Sequence, residues 1–187
     1  MPQAVTHILV PIILLSLFKD YYDSRKRNKR KNKKFSLHYV FLAGIGGVLP
    51  DIDIIFSLIK RIFTENSWWL HKTFTHSIFF PILLFLLFVA LKPTNPQAKI
   101  CNIGKHNLSL SIIFLMLSLG TLTHISLDAF FGNQAFFLYP FSSYDFGMGY
   151  ITSLPIDYGL IMATLDGILL VIWITYLQVK HKISDFI

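Results

Sequence analysis

Five apolar stretches, each close to the length of a membrane crossing, constrain this chain more than any other feature. A helix needs about 20 apolar residues to cross a hydrocarbon core of about 30 Å. The stretches run over residues 4–18, 36–60, 74–91, 108–131 and 156–178. The first is short and carries Pro11, the second is interrupted by Gly44, Gly46, Gly47 and Pro50, and the fifth holds Asp166 near its middle. Hydrophobic residues make up 53% of the 187 and charged residues 14%, against about 45–50% and 25% in soluble domains. That balance excludes a disordered chain and an ordinary soluble enzyme, and a single Cys excludes an internal disulfide or a Cys-rich zinc module. The expected architecture is an all-α polytopic membrane bundle of four or five segments, forming a single domain over residues 1–187. The first segment lacks a charged leader and a small-residue cleavage site, so it reads as retained, either spanning or dipping in as a re-entrant piece.

The charges set an expected orientation. Of the 17 Lys and Arg residues, nine follow the first segment between Lys19 and Lys34. Lys92, Lys99, Lys105, Lys180 and Lys182 fall on the same side if all five segments cross. Only Lys60, Arg61 and Lys72 fall on the other. Basic loops stay cytoplasmic, which puts the N-terminus outside and the C-terminus inside an inner (plasma) membrane. The run from Arg25 to Lys34 has no interleaved aromatic on which a base could stack. It reads as a topology determinant beside anionic headgroups, with no nucleic-acid partner.

The same topology sorts the polar residues. His7, His71, His76 and His124, with Asp51, Asp53 and Asp128, fall toward the outer ends of their segments, whereas His38, His106 and His181 fall at the cytoplasmic ends. A lone carboxylate within the bilayer costs about 2.5–3.5 kcal/mol on insertion scales, so such residues persist when they pair, line a wet cavity or hold a cation.

Three sequence elements carry the cluster. His124 and Asp128 are four apart, on one helical face, which suits either a shared metal or a hydrogen bond between them. In Leu49-Pro50-Asp51-Ile52-Asp53 the proline and the preceding glycines loosen the helix. An extended stretch there would put both carboxylates on one side, Asp51 as direct ligand and Asp53 behind it or bridging. His71 and His76 are five apart, so one precedes the third helix and the other lies in its first turn, which Thr75 or Ser77 could cap; beside Trp68 and Trp69 they also suit an aromatic belt. His7 is a single imidazole that could simply bond a carbonyl.

Imidazole and carboxylate donors without thiolate suit zinc first, then manganese or iron, while carboxylates alone suit magnesium. An ion that keeps a position open for water supplies a nucleophile near neutral pH, which is the chemistry of hydrolysis.

Thr6-His7, Leu49-Pro50-Asp51-Ile52-Asp53, His71 with Thr75-His76-Ser77, and Gly120 through Thr123-His124 to Asp128, followed by Gly132 and Pro140, occur in one order. The pattern resembles the LexA-regulated inner-membrane family regarded as metal-dependent hydrolases. More distantly, the helical His-x-x-x-Asp pair resembles that of zinc-dependent phospholipase C and P1-type nucleases, an analogy of motif. The resemblance implies metal contacts at His7, Asp51, His76, His124 and Asp128, with Asp53 and His71 as further candidates. Two positions depart from the family pattern: Ile54 stands where a histidine commonly follows, and Lys72 where an arginine is common. A lysine offers phosphate a point charge and no bidentate fork.

The expected function is hydrolysis of a phosphoester in a lipid or lipid-linked substrate, with Asp53 or His71 moving protons. The segment Gly132 to Pro155 carries seven aromatic residues and no Lys or Arg, suiting an interfacial lid or an aromatic belt. Asp166 reads as a partner behind an imidazole or as helix glue. Two other classes use the same residues: an ion- or proton-coupled transporter, and a non-catalytic metal-stabilised scaffold.

Overall fold

The computed structural model describes residues 4–26, 36–63, 74–92, 101–103, 106–132, 136–150, 153–155 and 157–181. Among the described residues six α-helices follow one another: α1 (Ala4–Lys26), α2 (Leu37–Gly46), α3 (Ile52–Phe63), α4 (Phe79–Ala90), α5 (Leu110–Phe131) and α6 (Tyr158–His181). Short 3-10 turns at Leu49–Asp51 and Phe74–His76 precede α3 and α4. The expected helical membrane bundle is what forms. A two-stranded ribbon joins α4 to α5, with β1 (Cys101–Ile103) antiparallel to β2 (His106–Leu108).

Among the described residues three helices, α1, α5 and α6, are long and apolar enough to cross a membrane, and α2 with α3, bent by 42° at the break, makes a broken span or a re-entrant loop. The first stretch forms one helix of 23 residues with Pro11 inside it, long and apolar enough to span. The third stretch is shorter than its composition suggests, because the chain turns at Phe74–His76 and only 12 residues of α4 follow.

Glycine brings α2 and α5 together. A Cβ on Gly120 would run into the Ala43 carbonyl oxygen, and one on Gly46 would meet the Leu117 carbonyl oxygen at 2.6 Å. In a bilayer, where apolar faces gain nothing by hiding from lipid, close backbone approach of this kind is what holds helices. Gly47 does the same toward α1, its hydrogen facing the His7 carbonyl oxygen. Pro11 has no N–H to give that carbonyl four residues upstream, so the first turns of α1 and the end of α2 meet backbone to backbone.

Two apolar clusters fill the remaining contacts. Leu9, Ile12, Val40 and Trp173 join α1, α2 and α6, and Tyr39, Ala43, Leu108 and Met116 join α2, β2 and α5. The Ser109 N–H donates to the Tyr39 hydroxyl at 2.8 Å, fixing the start of α5 beside α2. On α6, Met162, Asp166 and Trp173 are buried at helical spacing. Asp166 accepts a hydrogen bond from Thr6, and the Tyr176 hydroxyl donates to Asp20 at 2.8 Å.

Described basic residues outside α3 (Lys19, Arg25, Lys92 and Lys180) stand at one end of the bundle. The start of α1, the end of α5 and the roots of α3 and α4 gather at the other.

Candidate metal centre

Six polar side chains converge at that second end, from five places in the chain. His7 comes from the second turn of α1, Asp51 from the turn after α2, and Asp53 from the first turn of α3. His76 ends the turn before α4, and His124 and Asp128 lie on the last two turns of α5. At 1.5 Å per residue, His7 lies about 18 Å from Lys19, the first charge along α1, and His124 about 10 Å from the end of α5 at Phe131. The cluster therefore sits within the apolar thickness of the bundle, nearer the end without the basic residues.

The donor atoms are spaced like ligands. His76 Nε2 lies 3.3 Å from His124 Nε2, 3.4 Å from Asp51 Oδ1 and 3.8 Å from Asp128 Oδ2. His124 Nε2 lies 3.7 Å from Asp51 Oδ1 and 3.7 Å from Asp128 Oδ2. Nitrogen and oxygen donors at about 2.0–2.1 Å from one tetrahedral ion stand about 3.3–3.4 Å from one another. Two of the five separations match that value and the other three exceed it by about 0.3–0.5 Å.

Both imidazoles are already oriented for such an ion. His124 Nδ1 lies 2.7 Å from the Gly47 carbonyl oxygen. A carbonyl only accepts, so Nδ1 carries the proton and Nε2 presents its lone pair to the centre. His76 Nδ1 lies 3.3 Å from Asp53 Oδ2, and Thr75 Oγ1 donates to the same oxygen at 2.9 Å. This is the carboxylate–histidine arrangement that steadies metal-binding imidazoles. Asp53 thus stands behind His76, and Asp51 faces the shared centre.

His7 stacks on His124 with ring centroids 3.8 Å apart, and its Nε2 lies 3.4 Å from Asp128 Oδ1. Its Nδ1 and that Asp128 oxygen are buried without a hydrogen-bond partner among the described residues. Two ligand triads result, Asp51–His76–His124 and His7–His124–Asp128. They share His124, whose second nitrogen is engaged by Gly47, so one Nε2 serves both and one ion at a time can use it. The donor chemistry, the spacing and the fixed tautomers all fit a divalent cation.

Of the seven expected site residues, His7, Asp51, Asp53, His76, His124 and Asp128 come together here; His71 lies outside the described residues. The backbone around the two aspartates is not extended: Asp51 ends a 3-10 turn and Asp53 opens a helix. They still act together, because His76 offers one nitrogen to each. Neither Thr75 nor Ser77 caps α4: Ile78 holds that position without a side-chain bond, and Ser77 Oγ donates to the Phe74 carbonyl at 2.6 Å. Periodicity could not point to the Gly47 carbonyl, and Thr75 escaped notice as the partner of Asp53.

A family model for the YdjM inner membrane protein matches residues 1–184. The chain belongs to that family. No curated protein and no solved structure matches the chain, so the likeness to phospholipase C and P1-type nucleases stays an analogy of one motif. Membership in the YdjM family and the apolar helices agree on an integral inner-membrane protein. The buried His/Asp cluster lies wholly within the matched span.

The support behind His76 is open to test. Asp53→Ala is expected to weaken metal retention about 10–100-fold, the usual cost of losing such a partner, with thermal unfolding of the metal-free protein little changed. Competition with a chromophoric chelator measures the affinity; an unaltered value would place Asp53 outside the centre's support.

Proposed function

We propose that the cluster binds one divalent cation, zinc most naturally, and that the protein is a membrane-embedded metal-dependent hydrolase acting on a phosphoester in a lipid or lipid-linked substrate. The observation that carries this reading is the Asp51–His76–His124–Asp128 constellation, with donor atoms 3.3–3.8 Å apart and both imidazoles locked with Nε2 inward. An ion held there would supply a Lewis acid and bring the pKa of water toward neutrality.

The protein's own groups do the rest. Gly47 and Asp53 fix the two imidazoles. Asp51 forms the accessible side of the site, its side chain 24% exposed while those of His7, His76, His124 and Asp128 are at most 5% exposed. A substrate oxygen is therefore oriented from the Asp51 side. His71 remains the proton-transfer group of this reading, whereas Asp53 acts through His76 as a positioning residue. Manganese and iron fit the same donors, and magnesium would favour the carboxylates.

The centre belongs to the outer half of the membrane in this reading, with the N-terminus outside and the C-terminus cytoplasmic, because the described basic residues outside α3 lie at the opposite end. An ion or proton pathway is less favoured: beyond His7 along α1, the buried residues Leu9, Ile12, Val40 and Trp173 form an apolar cluster.

Protein reconstituted in nanodiscs with zinc or manganese is expected to release phosphate or headgroup from phospholipids and polyprenyl phosphates, with Asp51→Asn at least 100-fold slower. Metal crossing a liposome membrane without cleavage would favour a transporter instead. Stabilisation by metal with no turnover on the lipid panel would favour the scaffold.

A further inference from the structure

Two of the three imidazoles at the centre have their outward nitrogen engaged. The Gly47 carbonyl oxygen holds His124 Nδ1 at 2.7 Å, and Asp53 Oδ2 stands 3.3 Å from His76 Nδ1. His7 differs. Its Nε2 faces Asp128 Oδ1 at 3.4 Å and its ring is buried in a stack on His124. Its Nδ1 is buried with no hydrogen-bond partner among the described residues. For Nε2 to offer its lone pair to a cation, Nδ1 has to carry the ring proton. A buried N–H without an acceptor is rare in native proteins, so the position calls for an oxygen.

Helix α6 brings one to the neighbouring residue. Asp166 is buried within that span, where a carboxyl group persists only with partners. Thr6, which precedes His7, donates its hydroxyl to Asp166 Oδ1. The other oxygen, Oδ2, is buried and has no hydrogen-bond partner among the described residues. The remaining oxygens in that condition are Ser16 Oγ, Ser57 Oγ, Asp128 Oδ1 and the Tyr158 hydroxyl, and all are worse placed. Ser16 is nine residues further along α1, about 13.5 Å by helical rise, and Ser57 belongs to α3. Asp128 Oδ1 already faces the opposite nitrogen of the His7 ring. Tyr158 stands two turns before Asp166 on α6, about 12 Å nearer its start.

We propose that Asp166 is the carboxylate behind His7, its Oδ2 accepting a hydrogen bond from His7 Nδ1 when a cation occupies the centre, while Thr6 holds Oδ1. This assignment rests on the metal-centre reading above and adds a positioning residue from a helix that contributes no ligand. The two atoms are not hydrogen-bonded in this structure, so the link forms as the imidazole settles onto the ion. All three imidazoles then share one plan, with Nε2 toward the cation and Nδ1 on a carbonyl or carboxylate oxygen, which fixes tautomer and ring orientation. Because α6 packs chiefly on α1 among the described residues, the same link ties that helix to the centre.

The test is a double-mutant cycle on zinc affinity, read by competition with a chromophoric chelator on the full chain in detergent. Asp166→Ala and His7→Ala are each expected to weaken binding about 10–100-fold, and Asp166→Ala to add no further loss in the His7→Ala background. Tyr158→Phe should leave the affinity unchanged. In zinc-loaded protein with 15N-labelled histidine, the His7 Nδ1–H proton, identified by its loss in His7→Ala, should resonate downfield and exchange slowly. Asp166→Asn keeps the shape and an acceptor but not the charge, so affinity should fall only about threefold and that proton should move upfield. Equal losses from Asp166→Ala with and without His7 would overturn the link and leave Asp166 as a bond between helices. Coupling to His7 found at Tyr158 instead, or a His7 proton that Asp166→Asn does not move, would overturn it too, even if Asp166→Ala fails to fold. Zinc uptake by the wild type without coupling overturns this assignment alone; no uptake overturns the metal centre and the assignment with it.

Discussion

Purified in detergent and loaded with zinc, the wild-type protein is expected to hold one equivalent of metal per chain, and His124→Ala to hold none after dialysis. His124 meets both ligand triads through a single Nε2, so its removal takes a donor from each. Asp128→Ala should be nearly as severe, since Asp128 offers one oxygen to the His76–His124 side and the other to His7. His7→Ala should weaken binding without abolishing it, because Asp51, His76, His124 and Asp128 remain. Because an ion that binds only the folded state stabilises by about 4 kcal/mol at a thousandfold excess over Kd, the wild type should unfold at distinctly higher temperature with zinc and His124→Ala should not respond. Elemental mass spectrometry reads the first result and a thermal melt the second. A wild type that takes up no zinc, manganese or iron would sink the metal centre.

The second large effect is expected from Gly120→Val, at a position that carries no chemistry. A Cβ there would overlap the Ala43 carbonyl oxygen and lie 2.7 Å from the Gly47 nitrogen. These are backbone atoms that no rotamer change can move aside. Overpacking a tight core commonly costs about 1–3 kcal/mol, and the absence of a flexible neighbour puts this case at or above the top of that range. Separating α2 from α5 also pulls the Gly47 carbonyl away from His124 Nδ1. Folded yield and melting temperature in detergent should fall sharply and zinc binding should weaken together. Gly167→Ala, with nothing within 4 Å of the added carbon, is the matched control and should change neither. A Gly120→Val protein that melts normally would mean the helices can part without loss.

How much of this could be read from the residues follows from what kind of atom carries each interaction. Apolar runs located α5 and α6 to within a few residues, because burial in lipid depends on side-chain character over a length. The run for α1 stopped at Phe18 although the helix continues to Lys26; beyond the bilayer a helix need not be apolar. The run for the third segment overshot, since Phe74 is as apolar as its neighbours but belongs to the turn that brings His76 inward. His7, Asp51, His76, His124 and Asp128 could be proposed to meet because ionisable side chains at one membrane depth are costly alone. What holds them in place was mostly invisible. The Gly47 carbonyl is a main-chain group that every residue possesses, and the Thr6–Asp166 bond joins positions 160 apart on helices whose contact periodicity does not disclose. Asp53 behind a direct ligand was among the readings of the Asp-Ile-Asp stretch, but neither its pairing with His76 nor the helical backbone that puts it there was.

The break between α2 and α3 has a mechanical consequence. The few residues from Gly47 to Asp51 supply the carbonyl that orients His124, the most exposed candidate ligand, and the hinge of a helix embedded in lipid. A bent span adapts to a thicker or thinner hydrocarbon core by changing its tilt, and α3, which among the described residues packs chiefly on this hinge, is the arm through which such a change would be felt. Metal affinity is therefore expected to differ between nanodiscs of thin and of thick lipids; an affinity indifferent to thickness would mean that α3 tilts without moving Asp51.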